Sequence, residues 1–345
     1  MKTQAAVLFG QKEPLRIVEL DIPDPKEGQV LVEVLYSGIC GTQVNEIMGL
    51  KGEDKWIPHC LGHEGVGKVL NVGPGVSKVQ AGDMVVMTWL KGEGLEAGGA
   101  QYNSGDLTIN SGPVHTFQRH ALISENRLVP LSDGVDHKSA VLLGCALPTG
   151  VGSVFNVLKV RAQESVCVFG CGGIGLSSIG AAKSVGCSTI VAVDPVEKRR
   201  ELALESGATL ALDPTADNFS EQLNSAKGQG FDCAVEASGL VDVMGLALQS
   251  VRPRGGRCVV IGNSKKGDML SIDPVQFNMG KNLLGSWGGE CVPDEDIPQY
   301  AQLIRNGDVQ VDHLLSNTYA LDDINEAVRD LMAGSIGRPI IDMKL

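Results

Sequence analysis

Residues 165–175 read S-V-C-V-F-G-C-G-G-I-G, and the fold turns on how they are read. The first five are a short apolar run, which predicts a buried strand. Gly170, Gly172 and Gly175 then fit G-x-G-x-x-G, with Gly173 and Ile174 inside the pattern, and the stretch onward to Val185 predicts a helix. Strand, glycine turn and helix in that order is the context in which this pattern has a physical meaning. Gly170 permits the tight turn, Gly172 lets backbone approach a pyrophosphate, and Gly175 lets helix pack on strand. The helix N-terminus offers unpaired N–H groups and a positive dipole end to the phosphates.

Downstream, the same grammar repeats. Thr189–Val193 predicts a second strand and the charged stretch 195–205 a helix, while 231–236 and 257–262 predict further strands with helical segments between them. Strands alternating with helices predict a parallel sheet wound on both faces. Asp194 ends the second strand, 19 residues after Gly175. A carboxylate there accepts both ribose hydroxyls of NAD and repels the 2′-phosphate of NADP. The nearby Lys198-Arg199-Arg200 leaves two readings open: a contact to the adenosine ribose or its phosphate, and a solvated helix face.

Upstream, from residue 1 to about 147, short strands lie between turns and predict a β-barrel-like domain. Residues 30–36 (V-L-V-E-V-L-Y) and 65–72 alternate, and Met84–Thr88 is a short apolar run. Residues 91–116, rich in glycine, serine and asparagine, offer almost nothing to bury and predict a long surface loop or lid. Past about residue 293, the stretches 294–305 and 321–332 predict amphipathic helices, and 339–343 a last strand.

The 345 residues suffice for two domains with real cores. With a net charge of −12 and no basic run beyond 198–200, the surface repels phosphate backbones and anionic lipid. Nucleic acid and membrane are therefore not expected as partners. No signal-like apolar segment follows Met1, and the expected location is the cytoplasm. Nine scattered cysteines, none in a C-x-x-C pair, argue against a disulfide framework. Most are expected to be small buried apolar groups.

Two of them, with one histidine, sit in glycine-lined segments: G-I-C-G-T around Cys40, G-H-E-G around His63 and L-L-G-C-A-L-P-T-G around Cys145. Two thiolates and an imidazole would make a three-ligand zinc site with an open fourth position. Spacing alone cannot assemble residues so far apart, and ordinary buried side chains remain the other reading.

Taken together and in this order, these segments resemble the zinc-dependent alcohol dehydrogenases of the medium-chain dehydrogenase/reductase superfamily, over essentially the whole chain. The resemblance implies a GroES-like β-barrel catalytic domain, residues 1–147 completed by 287–345, interrupted by a doubly wound Rossmann NAD-binding domain at 148–286. It implies Cys40, His63 and Cys145 as catalytic zinc ligands, Glu64 as the acid behind the metal, and Thr42 as the hydroxyl receiving the substrate proton. Thr149 matches a threonine beside the nicotinamide, Asp194 the ribose-binding acid and Arg199 an adenosine-side contact. Ile261 and Gly262 match the strand end under the carboxamide, and Arg338 an arginine at the pyrophosphate. A homodimer or homotetramer is implied as well. His59 and Cys60 fit no ligand pattern and read as packing residues; His115 and His120 read as solvated, with the substrate mouth as the other possibility.

Three departures stand out. Leu90 to Thr116 replaces the lobe that holds four cysteines and a structural zinc in many relatives, so one zinc per chain and a more mobile segment are expected. Gln43 stands where an aspartate is frequent, and Asn45 where a histidine often ends the proton relay. The expected reaction is reversible hydride transfer between an alcohol, larger or more polar than ethanol, and NAD. Two alternatives stay open: a zinc-free NAD(P)H-dependent enone or quinone reductase of the same superfamily, and a cofactor-binding protein without turnover.

Overall fold

The computed structural model describes residues 1–334 and 337–345. The chain forms two compact units. The first comprises Met1–Cys145, Val292–Arg305 and Leu315–Leu345; the second comprises Ala146–Cys291 and Asn306–Leu314.

The first unit is built on strands β1 (Lys2–Leu8), β2 (Arg16–Asp21), β3 (Gln29–Gly38), β4 (His59–Cys60), β5 (Glu64–Val72), β6 (Met84–Thr88), β7 (Gln101–Ser104), β8 (Leu107–Ser111), β9 (His120–Ser124) and β10 (Leu128–Pro130). Strands β1, β2, β7, β8 and β4 close into a barrel, the GroES-like element. Its interior takes one face of the alternating strands: Ala5, Val7, Leu20, Tyr102 and Ile109 are fully buried there, with Leu122 of β9 packed in the same cluster.

Residues 91–116 are not the long loop their composition suggested. They hold β7 and β8, an antiparallel hairpin that turns at Gly105. Each strand contributes one inward apolar residue, Tyr102 and Ile109, too few for composition to reveal. His115 corrects a second expectation. It is completely buried, its Nε2 accepts from the Tyr102 hydroxyl at 2.6 Å, and its Nδ1 donates to the Gly112 carbonyl at 2.9 Å. Burial pushes its pKa down to about 4, so the ring is neutral.

The second unit carries β11 (Ser165–Phe169), β12 (Thr189–Val193), β13 (Leu210–Leu212), β14 (Cys233–Glu236), β15 (Arg257–Val260) and β16 (Asn282–Gly285). All pair in parallel, in the order β13-β12-β11-β14-β15-β16. This is the doubly wound Rossmann order, whose direction reverses between β11 and β14. Val166, Cys167, Val168 and Phe169 are buried on both faces, as a central parallel strand requires. The helix Gly173–Val185 stops at Gly186, whose φ of 86° ends it in the left-handed region.

The chain then returns to the first unit with the helix Pro293–Asn306 and strands β17 (Leu315–Ala320) and β18 (Arg338–Asp342). Strand β18 pairs antiparallel with β3, completing the order β10-β6-β5-β3-β18-β17, with β9 also paired to β3. Among the described residues no single helix is long and apolar enough to cross a membrane.

Candidate metal centre and cofactor site

Each of the three cysteine and histidine segments folds so that its side chain reaches one point in the first unit. Cys40 follows the end of β3 and precedes the helix Gly41–Ile47. His63 lies just before β5, and Cys145 closes the unit after the short 3-10 turn Val141–Gly144. One ligand atom from each lies within 4.8 Å of the others, among buried or half-buried residues. The two sulfurs are 4.0 Å apart. Metal–sulfur bonds of about 2.3 Å in tetrahedral array place sulfurs roughly 3.8 Å apart, so the pair fits a zinc ion. His63 Nε2 is buried without a hydrogen-bond partner among the described residues, an orphan that a metal would satisfy. Three protein donors leave a fourth position for substrate.

The electrostatics set the two thiols apart. The hydrogen bond from Cys145 and the Arg338 and His63 charges outweigh burial and hold the Cys40 thiol well below its ordinary pKa. Cys145, sharing that bond and buried beside an incipient thiolate, is pushed well above it. Burial raises Glu64 to about 7, against the opposing pull of Arg338.

Surrounding side chains hold the ligands. Gln43 Oε1 accepts from the Cys40 amide at 3.1 Å, and the Gln43 amide nitrogen meets His63 Nδ1, so one neutral side chain braces two ligand residues. Glu64, wholly buried, pairs with Arg338 at 2.9 Å. A Cβ on Gly38 would lie 2.7 Å from Glu64 Oε1, and one on Gly144 would lie 2.8 Å from Glu64 Cβ, so both glycines make room for that carboxylate. Sequence reasoning missed three hydroxyls. Ser37 and Thr116 both donate to the Glu64 carbonyl, at 3.2 and 3.1 Å, and Thr88 donates to the Gly144 carbonyl at 2.8 Å. The glycine-lined ligand loops were the only available signal, and they mark the loops rather than what holds them.

Thr42, half-buried, and Asn45 lie on the helix after Cys40. His59 is half-buried and bonds Asp54 at 2.8 Å, and Cys60 is buried in the barrel. His120 is half-buried on β9. Arg338, expected at a pyrophosphate, lies in the first unit with its guanidinium on Glu64 and on the Ile39 carbonyl at 3.2 Å.

The remaining residues belong to the second unit. Gly170 has φ 90°, a tight turn that glycine adopts without strain. Gly175 packs on the Gly170 carbonyl, while a Cβ at Gly172 would meet nothing within 4 Å. That open space lies at the N-terminus of the helix Gly173–Val185, which contains Gly173 and Ile174. Asp194 is buried; its Oδ2 accepts from Cys171 N at 2.8 Å and its Oδ1 from Val196 N at 2.9 Å. Arg199 is half-buried on the following helix, whereas Arg200 turns back to the Asp194 carbonyl and pairs with Asp213. Thr149 is buried on the helix Ala146–Gly152, whose Gly150 packs on the Ile174 carbonyl. Ile261 and Gly262 follow β15 and donate to the Glu236 carbonyl.

Comparison with known proteins gives a consistent picture. Residues 26–133 match the alcohol dehydrogenase GroES-like domain, and residues 173–306 match the zinc-binding dehydrogenase domain. The S-(hydroxymethyl)glutathione dehydrogenase of Escherichia coli O1:K1 is 32% identical over 369 aligned residues, spanning 99% of this chain and all of that protein. An alcohol dehydrogenase zinc-binding domain protein from Burkholderia ambifaria superposes with TM-score 0.89 at 30% identity, covering 99% of each chain. The benzyl alcohol dehydrogenase of Acinetobacter calcoaceticus does so with TM-score 0.89 at 29% identity, also covering 99% of each.

Proposed function

The chain belongs to the zinc-binding alcohol dehydrogenase family of the medium-chain dehydrogenase/reductase superfamily, an enzyme family of NAD(P)-linked oxidoreductases, and on that premise we propose that it reversibly oxidises an alcohol to an aldehyde or ketone with NAD. The observation that carries the reading is the buried Cys40, His63 and Cys145 constellation, with its sulfurs 4.0 Å apart and His63 Nε2 left unpartnered.

Zinc held by those three residues supplies a Lewis acid for the alcohol oxygen, and the nicotinamide supplies the hydride acceptor. The chain's own groups do the rest. Gln43 and the Ser37, Thr88 and Thr116 hydroxyls hold the ligand loops in place. Thr42 takes the alcohol proton at its hydroxyl. Asn45 cannot titrate, so the proton leaves through water rather than through that residue.

In the second unit the space beside Gly172 takes the pyrophosphate, and Asp194 takes the adenosine ribose hydroxyls, favouring NAD over NADP. Arg199 neighbours that ribose. Thr149, Ile261 and Gly262 serve the nicotinamide end. One zinc per chain is proposed, the 91–116 hairpin being fastened by hydrogen bonds instead. The assembly proposed is a homodimer or a doubled dimer. Its support is the open edge strand β16, flanked by exposed Val275, Phe277, Met279 and Trp287.

The test is NADH formation from a panel including benzyl alcohol, butanediol and S-(hydroxymethyl)glutathione, with NADP and metal-stripped arms. Turnover that prefers NAD and returns only with added zinc supports the reading. Turnover by metal-free protein overturns it.

A further inference from the structure

Glu236 ends β14, the strand beside the glycine turn, at the place where the sheet order reverses. In open α/β sheets this is where the ligand crevice lies. Its side chain is fully buried. Three donors converge on one oxygen: Oε1 accepts from Ser238 N at 2.7 Å, Ser238 Oγ at 2.5 Å and Gly239 N at 2.9 Å. An ionised carboxylate, which only accepts, suits that cluster. The other oxygen, Oε2, is buried and has no hydrogen-bond partner among the described residues. Among them no arginine or lysine makes an ion pair with it.

The turn that Glu236 fastens touches both neighbouring strand ends. A Cβ on Gly170 would lie 2.8 Å from Ser238 N, and one on Gly262 would lie 2.7 Å from Glu236 Oε2. Ala237 N donates to the Phe169 carbonyl at 2.8 Å, and Ile261 N to the Glu236 carbonyl at 2.9 Å. The Glu236 side chain therefore fastens a turn whose backbone joins the ends of β11, β14 and β15, and its unused oxygen lies against half-buried Gly262.

The direction of the cofactor follows from the sheet. Asp194 directly follows β12, on one side of β11, so an adenosine ribose held there sends the nicotinamide half over β14 and β15. We propose that Glu236 is a charge-selective positioning residue for the nicotinamide end: its buried, unpaired anion favours the cationic oxidised ring over the neutral reduced one, while Oε1 fixes the floor on which that ring rests. This rests on the reading of the second unit as an NAD site.

The experiment measures the dissociation constants of NAD⁺ and NADH separately, by calorimetry and by nicotinamide fluorescence, in the full-length protein. Glu236→Gln removes the charge and keeps an acceptor for the turn. It is expected to weaken NAD⁺ about tenfold relative to NADH, the scale of a unit charge acting at intermediate effective dielectric. Ser238→Ala loosens the turn and keeps the charge, so both affinities fall together and their ratio holds. If Glu236→Gln does not fold, Glu236→Asp replaces it: it keeps the anion but withdraws it by one methylene, and the ratio should shift in the same direction by less. An unchanged ratio in the charge variant overturns the proposal. Failure of the unmodified protein to bind either cofactor would instead overturn the NAD reading itself.

Discussion

Alanine at two neighbouring glycines should have opposite signatures. Gly172 has φ −77° and ψ −174°, a conformation alanine adopts freely, and a Cβ there meets no protein atom within 4 Å. Gly172→Ala should therefore leave the fold intact and its stability nearly unchanged, the gain of about 0.4–1 kcal/mol from the less free unfolded chain being offset by alanine's poorer fit at the helix N-cap. If the empty space belongs to the pyrophosphate, the methyl intrudes only on the cofactor. Overpacking of about 1–3 kcal/mol then weakens NADH roughly 5- to 150-fold. At Gly175 a Cβ would sit 1.9 Å from the Gly170 carbonyl oxygen and 3.3 Å from Val168 Cγ1. Relieving that overlap moves the turn by about 1 Å or more, so Gly175→Ala should lose stability by about 1–3 kcal/mol and lose cofactor as well. Thermal melts paired with NADH fluorescence titrations separate the two. A Gly172→Ala protein that binds NADH like the unmodified one would refute the assignment of that space, however well the rest of the site behaved.

Other outcomes follow from single groups. His63→Ala and Cys145→Ser should abolish bound zinc by elemental analysis and reduce turnover roughly a thousandfold, with NADH binding nearly intact. Normal zinc content in either would sink the ligand assignment. Glu125 accepts from the Ser77, Lys78 and Leu95 amides, each at 2.7 Å, so Glu125→Ala strands three donors and should cost about 3 kcal/mol or more in denaturant melts. Burial pushes the Glu125 pKa up, yet those amides and Lys78 bring it below the ordinary value. A depressed carboxylate stabilises the fold above its unfolded pKa, near 4.5, and that contribution should vanish as pH falls through the lower folded value. Tyr102→Phe should cost about 2 kcal/mol by leaving His115 Nε2, the Gln118 amide and Leu122 N without their shared hydroxyl. An unchanged melt would show that water replaces it. Phe277→Asp should shift the assembly toward monomer in light scattering.

Much of this architecture is legible in the residues. Central parallel strands bury both faces, so S-V-C-V-F and T-I-V-A-V declare themselves as short apolar runs, and the glycine turn fixes their order in the cofactor unit. The metal centre is legible only in part. Cys40, His63 and Cys145 carry the right donor chemistry, but 105 residues separate the two cysteines, and only the fold brings their sulfurs together. The 91–116 hairpin escaped because Tyr102 and Ile109 supply its whole burial, and a pattern needs more than one apolar residue per strand to show itself. Thr88 and Thr116 escaped for a different reason: a hydroxyl that bonds a distant carbonyl looks, in sequence, like any other threonine.

Strand β18 has a consequence for how the protein is made. It runs beside β3, with Ile340 opposite Gly38 and Ile341 opposite Ser37, and it brings Arg338 to Glu64. A ribosome thus releases β1 to β10 long before the strand that completes their sheet. The parallel sheet between Ala146 and Cys291 has all six of its strands much sooner. Vectorial folding normally matures the earlier domain first. Here the inserted domain can finish while its host still waits, exposing one flank of β3 and leaving the carboxylate beside His63 without its arginine. Nascent chains arrested before β18 should bind nucleotide yet hold metal poorly, and chaperone dependence should concentrate in the half of the protein that began synthesis first.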